Sequence, residues 1–143
     1  MVKHKAHYFL IEIIHNDDDK KEHKTFGILG ALTKAIHEIH GEVGLAAVRY
    51  SLIVKVTDNN VFCVKVESSN QHYLSTVLPF VTSITSTPLV LRTLFVGRSI
   101  RTCEKFLVKF RRNELYGLYS QAESGVEKKH ILSALAAVTG KIE

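Results

Sequence analysis

Basic side chains recur at helical spacing in the segment TLFVGRSIRTCEKFLVKFRR, which spans residues 93–112. At about 100° per residue, four of them fall within a sector of about 80° on one side of a predicted helix. Guanidinium and ammonium groups aligned in this way can contact successive phosphates of a polyanion. The sequence therefore predicts a phosphate-binding surface, the basic face, formed by Arg101, Lys105, Lys109 and Arg112.

The residues that precede this helix also favour an anion. Gly97 predicts a turn, because glycine adopts a positive φ without steric cost. Ser99 can accept a hydrogen bond from an N–H of the first helical turn, so we expect the helix to open at Ser99. Arg98 stands between them, next to backbone N–H groups that attract negative charge. The N-terminal end of the helix should therefore extend the basic face.

An alternative interpretation of the basic face stays open. The opposite side of the helix carries an apolar stripe at i, i+3, i+4 and i+7 spacing, as in an ordinary amphipathic helix whose charged side meets solvent. Two features favour phosphate binding: residues 92–112 contain seven Lys and Arg residues but one acid, and the turn adds backbone donors at the same end. The apolar stripe consists of Cys103, Phe106, Leu107 and Phe110.

The composition is typical of a soluble globular domain. The 143 residues are 45% hydrophobic and 23% charged, with a formal net charge of +5 that favours an anionic partner. The apolar runs are too short to span a bilayer, and the N-terminus leads into a strand without a signal peptide. Cys63 and Cys103 form no CxxC pair and should be buried thiols in a reducing compartment. We expect an intracellular protein with no membrane partner.

The sequence carries no pattern that argues for catalysis by the polypeptide. His37 and His40 lie three residues apart on a predicted helix, but no further ligand follows at a metal-site spacing. The acidic run at 17–19 is typical of a solvated loop, and Cys103 lies on an apolar stripe without a neighbouring base. P-loop, GxSxG and dinucleotide-binding motifs are absent from the sequence. We predict no catalytic residue, no metal site and no cofactor bound by the protein itself.

The apolar patterns predict the order β-α-β-β-α-β followed by two helices. This order indicates an α/β ferredoxin-like (RRM-like) antiparallel sandwich. Apolar residues on both faces of the last strand predict that the two additional C-terminal helices cover the second sheet face. We expect a single domain over 1–143, with the core at 1–98 and the C-terminal helices at 99–139. The predicted strands span about 8–14, 46–56, 61–67 and 89–96, and the predicted helices about 25–40, 68–80, 99–117 and 126–138.

The segment TLFVGRSIRTCEKFL, residues 93–107, closely resembles a signature of the Pop-five family of protein subunits shared by ribonuclease P and ribonuclease MRP. The opening MVKHKAHY, followed by Glu12, is similar to the start of the eukaryotic members. Two shorter segments, IHGEVG at 39–44 and LPFVT at 78–82, also resemble the family. The likeness covers about residues 1–115 and implies the same sandwich fold.

The resemblance implies a non-catalytic protein subunit of a ribozyme endoribonuclease. In these particles the RNA is the catalyst and uses Mg²⁺, either to mature the 5′ ends of precursor tRNAs or, in ribonuclease MRP, to cut precursor rRNA. Family members bind the catalytic domain of that RNA and pair with an Rpp-thirty family protein, and an Rpp-fourteen or Pop-eight subunit is a further partner in eukaryotes. The implied partners are ribonuclease P RNA, MRP RNA and these proteins, with precursor tRNA reached through the complex in the nucleus and nucleolus.

The basic face and the resemblance together predict where RNA is bound. The third predicted strand, VFCVKV, lacks the glycines and stacking aromatics of an RRM sheet, so we expect the contacts on the helix and the N-terminus. The alternative function is a protein–protein adaptor of the Rpp-fourteen type without direct RNA contact. The predicted RNA-binding residues are Lys3, His4, Lys5, Gly97, Arg98, Ser99, Arg101, Lys105, Lys109, Arg111 and Arg112.

Overall fold

Five strands and four α-helices make up the part of the chain that the computed structural model describes, residues 5–15, 22–58 and 60–140. Single 3₁₀ turns at Ser68–Asn70 and Leu78–Phe80 flank the second α-helix. The strands are β1 (Ala6–His15), β2 (Ile53–Asp58), β3 (Val61–Glu67), β4 (Ser83–Ile84) and β5 (Thr87–Gly97), and the helices are α1 (Thr25–Val48), α2 (Gln71–Ser75), α3 (Ile100–Gln121) and α4 (Gly125–Gly140).

The strands form one antiparallel sheet in the order β2-β3-β1-β5-β4. β1 can occupy the centre because it is apolar on both sides: Phe9, Leu10 and Ile11 are each no more than 4% exposed. The placement of β1 between β3 and β5 is that of a split β-α-β arrangement. The predicted ferredoxin-like fold class is therefore confirmed, with β4 as an unpredicted strand at the edge.

The core lies between one face of the sheet and the helices α1 and α2. Phe9, Ile11 and Ile13 of β1 share this face, as the alternation in the sequence predicts. Burial of each such side chain stabilises the fold by about 1.5–3 kcal/mol. The other buried core residues are Ile28, Leu32, Ala35, Ile36, Val48, Leu52, Val54, Phe62, Val64, Val66, Leu74, Val77, Leu78, Val81, Ile84, Leu89 and Leu91.

Helix α1 is kinked at Gly41, where φ is 71° and ψ is −163°. The sequence predicts that the helix stops at this glycine, and the positive φ agrees with a stop. A second helical segment nevertheless continues to Val48, which is fully buried, so the strand predicted to begin at 46 begins at Ile53 instead. As a consequence Tyr50, which falls within the predicted strand, lies before β2 and is 91% exposed.

Replacing Gly41 with alanine should lower the free energy of unfolding by about 2 kcal/mol, because residues other than glycine rarely adopt its φ and ψ. Gly30, in the same helix, is the matched control. At both positions a new Cβ would meet no neighbouring side chain or other element of the described structure within 4 Å. Gly30→Ala should instead raise the free energy of unfolding by about 0.5–1 kcal/mol. Urea unfolding measures both variants, and equal effects would contradict the strain assigned to Gly41.

The predicted second helix, 68–80, is divided into α2 and its two flanking 3₁₀ turns. Pro79 lies in the last of these turns, where the missing backbone N–H of a proline prevents an α-helix from continuing. β4 and β5 then form a hairpin whose turn residues, Thr85 and Ser86, have φ values of 49° and 65°. The sequence does not predict this hairpin, because such φ values favour Gly, Asn and Asp.

The chain divides into two compact units, Met1–Ile100 and Arg101–Glu143. In the second unit, α3 runs through Gly117 to Gln121, beyond the predicted end of this helix at 117. The start of α4 is capped by Ser124, whose Oγ accepts a hydrogen bond of 3.2 Å from the Glu127 N–H. The single-domain organisation and the cover of the second sheet face by the C-terminal helices stay predictions.

Candidate nucleic-acid interface

The connection between β5 and α3 is a bend at Arg98 and Ser99, both of which are exposed. Gly97 remains in β5, where it is buried and pairs with Tyr8 of β1. The predicted turn at Gly97 is therefore displaced by one residue, because pairing with the central strand continues through the glycine. α3 begins at Ile100, so Ser99 directly precedes the helix, close to the predicted start.

The basic face is formed as predicted on one side of α3. Arg101, Lys105 and Lys109 are exposed, and Arg112 is half-buried. Successive members lie three or four residues apart, so their side chains are neighbours along about 16 Å of helix. None of the four takes part in an ion pair with another described residue. Their charges are therefore available to an external anion.

Arg111 has different surroundings from the basic face. Its Nη1 lies 2.9 Å from Glu114 Oε2, and its side chain is 22% exposed. The guanidinium also lies over the Phe110 ring, 5.9 Å from the ring centre. The charge of Arg111 is thus matched within α3, and its predicted RNA contact stays a prediction.

The predicted N-terminal contacts lie mostly beyond the described residues. Lys3 and His4 fall outside the described ranges. Lys5 is exposed, and its carbonyl accepts a hydrogen bond of 2.9 Å from the Ser68 N–H. This bond fixes the backbone at the start of β1 and leaves the Lys5 side chain in solvent.

Two exposed tyrosines follow the basic face, and the sequence interpretation missed them. Tyr116 and Tyr119 continue the i+3 and i+4 spacing that begins at Arg101. The same helical spacing includes both tyrosines, but the prediction of the basic face used only the cations in it.

His40, one of the two histidines singled out in the sequence, contacts side chains in α2 and directly after it. His40 Nε2 lies 2.6 Å from Thr76 Oγ1, and the His40 ring meets Tyr73 edge-on at 5.0 Å. Residues 17–19 lie outside the described residues. Among the residues that are described, no group of three His, Cys, Asp or Glu side chains could hold a metal ion. Cys63 and Cys103 are buried, as expected.

None of the helices in the described part of the chain is both long and apolar enough to cross a bilayer.

The model of the Rpp14/Pop5 family matches residues 7–108, which is most of the chain. The chain belongs to the Rpp14/Pop5 family. Its similarity to the ribonuclease P/MRP protein subunit POP5 of Bos taurus is 30% identity over 138 residues, covering 92% of this chain and 81% of that protein. The same subunit of Mus musculus is 28% identical over 143 residues, covering 95% and 85%. The resemblance inferred from the sequence is thereby confirmed.

The fold of this Rpp14/Pop5 family member also has a counterpart among solved structures. A chain of the cryo-EM structure of yeast ribonuclease MRP superposes with a TM-score of 0.58 at 16% identity, covering 85% of this chain and 98% of that one. At this identity the likeness supports the fold alone. The family match ends at residue 108, so the basic face begins within the matched segment and continues beyond it.

Proposed function

We propose that this Rpp14/Pop5 family member is a non-catalytic protein subunit of ribonuclease P, and also of ribonuclease MRP, that binds the RNA of the particle. Its membership of the family and the names of its relatives support the assignment to these particles. The observation that carries the RNA-binding part is the basic face of α3, whose four cations are aligned and form no ion pair with any residue that the structure describes. Such contacts position a protein on RNA and carry little sequence information.

The basic residues fall into groups with different roles on the RNA. The basic face neutralises phosphates of the catalytic domain of the RNA, which lets RNA segments approach one another more closely. Arg98 adds a further cation beside the start of α3, and Lys3, His4 and Lys5 form an N-terminal arm. Gly97 and Ser99 contribute backbone and hydroxyl groups next to Arg98. Arg111 contacts RNA only where its pairing with Glu114 is exchanged for a phosphate.

In this proposal the RNA of the particle, and not the protein, catalyses the cleavage reaction. The RNA uses Mg²⁺ to remove the 5′ leader of precursor tRNA or to cut precursor rRNA, and the protein binds no cofactor of its own. Its protein partners are an Rpp-thirty family subunit and an Rpp-fourteen or Pop-eight-like subunit. The protein acts in the nucleus and nucleolus.

Affinity purification of the tagged full-length chain from its own cells tests the proposal. Sequencing of the bound RNA should recover ribonuclease P RNA, MRP RNA or both, together with an Rpp-thirty family protein. Recovery of partner proteins without structured RNA would contradict direct RNA binding and support the adaptor function. Metal-dependent cleavage of RNA by the isolated protein would contradict a non-catalytic role.

A further inference from the structure

The side of α3 that carries the basic face continues into two aromatic residues. Tyr116 lies four residues after Arg112, and Tyr119 lies three residues after Tyr116. On helix geometry both rings fall within the sector of about 80° that the basic face occupies. From Arg101 to Tyr119 this side of the helix extends over about 27 Å. α3 therefore presents one strip that is basic in its N-terminal part and aromatic in its C-terminal part.

Both tyrosines expose aromatic surface to solvent. Tyr116 is 55% exposed and Tyr119 is 36% exposed. The Lys128 Nζ, from the first turns of α4, lies over the Tyr119 ring at 5.7 Å from its centre. This ammonium places a positive charge beside the ring. Surfaces that bind single strands combine aromatic rings with cations in this way.

We propose that Tyr116 and Tyr119 form a stacking platform for unpaired bases of the RNA that the basic face binds, an inference that rests on the proposed function. Aromatic rings bind bases without regard to sequence, because every base has a π-face. Bases within an RNA duplex are already stacked on one another and do not reach a side chain in this way. The platform therefore takes a loop, bulge or strand end that follows the phosphates held by Arg101, Lys105 and Lys109.

Charge and stacking can be separated by their response to salt. Loss of a phosphate contact lowers the slope of log affinity against log salt concentration, because fewer counterions are released. Loss of a stacked base lowers the affinity and leaves that slope unchanged. The tyrosines should therefore contribute to affinity for single-stranded RNA at every salt concentration.

The test compares the full-length chain and its variants on two probes, an unstructured oligouridylate of about 12 nucleotides and a blunt RNA duplex of the same length. The double variant Tyr116→Ala, Tyr119→Ala should bind the oligouridylate at least about tenfold more weakly, with an unchanged salt slope and unchanged duplex binding. The variant Tyr116→Phe, Tyr119→Phe keeps both rings and should bind as the unaltered chain does.

Leu118→Ala is the matched control for loss of exposed apolar surface. Leu118 is 54% exposed and lies between the two tyrosines in sequence, but it projects about 100° away from Tyr119 around the helix. Its replacement should leave both affinities unchanged. The chain contains five tyrosines and no tryptophan, so its fluorescence comes from tyrosine, and the difference between the unaltered chain and the double alanine variant reports on these two rings. Oligouridylate should quench this fluorescence in the unaltered chain and much less in the double alanine variant.

Three results would overturn the inference. The double alanine variant could bind oligouridylate as tightly as the unaltered chain, or it could lose duplex binding to the same extent. The third is an equal loss in Leu118→Ala. Failure of the unaltered chain to bind either probe is a different result, which overturns the proposed function and the platform together.

Discussion

Replacing Arg101, Lys105 and Lys109 with glutamine should weaken the binding of a structured RNA by about a hundredfold at about 0.15 M salt. Each phosphate contact contributes about 0.7–0.9 to the slope of log affinity against log salt concentration, which is roughly four- to fivefold in affinity at that salt concentration. The three side chains are exposed and form no ion pair with a described residue. Each substitution is therefore expected to remove one whole phosphate contact. The salt slope should fall by about 2–3.

A matched control variant also removes three positive charges, but from residues outside the basic face. Lys34, Arg49 and Lys55 are exposed and belong to α1, the turn after it and β2. The ion pair of Lys34 with Glu38 measures 4.0 Å between highly exposed groups, so its loss costs little stability. This control should change affinity much less than the variant of the basic face.

Filter binding or fluorescence anisotropy over a range of salt concentrations measures both triple variants. Equal losses in the two would show that the net charge of the chain attracts RNA without a defined surface. If the salt slope of the basic-face variant were unchanged, the basic face would not contact phosphates, and α3 would be an ordinary amphipathic helix whose charged side meets solvent. Arg111→Gln adds a comparison within α3, since its guanidinium is already paired with Glu114, and it should cost less than Lys109→Gln.

The fold was predictable where hydrophobic periodicity dominates. The alternation of Phe9, Ile11 and Ile13 identifies a strand because burial of one face outweighs other local preferences. Local conformation was harder to predict where tertiary contacts decide it. The segment after Gly41 has strand-like residues but forms a helix that buries Val48, and Thr85 and Ser86 hold a hairpin turn without a turn-forming sequence. Val48, and Ile84 and Leu89 on either side of the turn, are buried in the core, and a local sequence pattern does not contain these tertiary contacts.

The candidate site was predictable from spacing, because the basic face depends only on helix geometry along α3. The ion pair between Arg111 and Glu114 in the same helix was not predictable in this way. Arg111 and Glu114 lie three residues apart, yet the ion pair depends on rotamers and on the Phe110 ring below the guanidinium. Gly97 shows a similar limit, since pairing with Tyr8 keeps it in β5 and moves the bend onto Arg98.

A buried carboxylate in the central strand is the feature that the alternating pattern hides most completely. Glu12 is 8% exposed, although its neighbours in β1 are apolar. Its Oε2 lies 2.6 Å from Arg92 Nη2, directly across the β1–β5 ladder, and its Oε1 accepts a longer bond of 3.5 Å from Asn60 Nδ2. A buried charge is tolerated when it is paired and hydrogen-bonded, so Arg92 should be what allows Glu12 in this position.

Arg92→Met should lower the free energy of unfolding by about 2–3 kcal/mol, because it leaves the Glu12 carboxylate buried without its cationic partner. This expected loss of stability is smaller than that for a fully buried ion pair, because 54% of the Arg92 side chain is exposed and solvent screens the interaction. Glu12→Gln should cost only about 1 kcal/mol, as a neutral amide can still accept a hydrogen bond from the guanidinium. Urea unfolding at constant pH measures both variants.

The double variant Glu12→Met, Arg92→Met decides whether the pair itself or the unpaired carboxylate sets the stability. With both charges removed, no buried ion remains, and the double variant should be more stable than Arg92→Met alone. Lys34→Met breaks an exposed pair by the same type of substitution and should cost less than about 0.5 kcal/mol. If Arg92→Met were as mild as Lys34→Met, water would already be solvating Glu12, and the pairing across β1 and β5 would contribute little to the sheet.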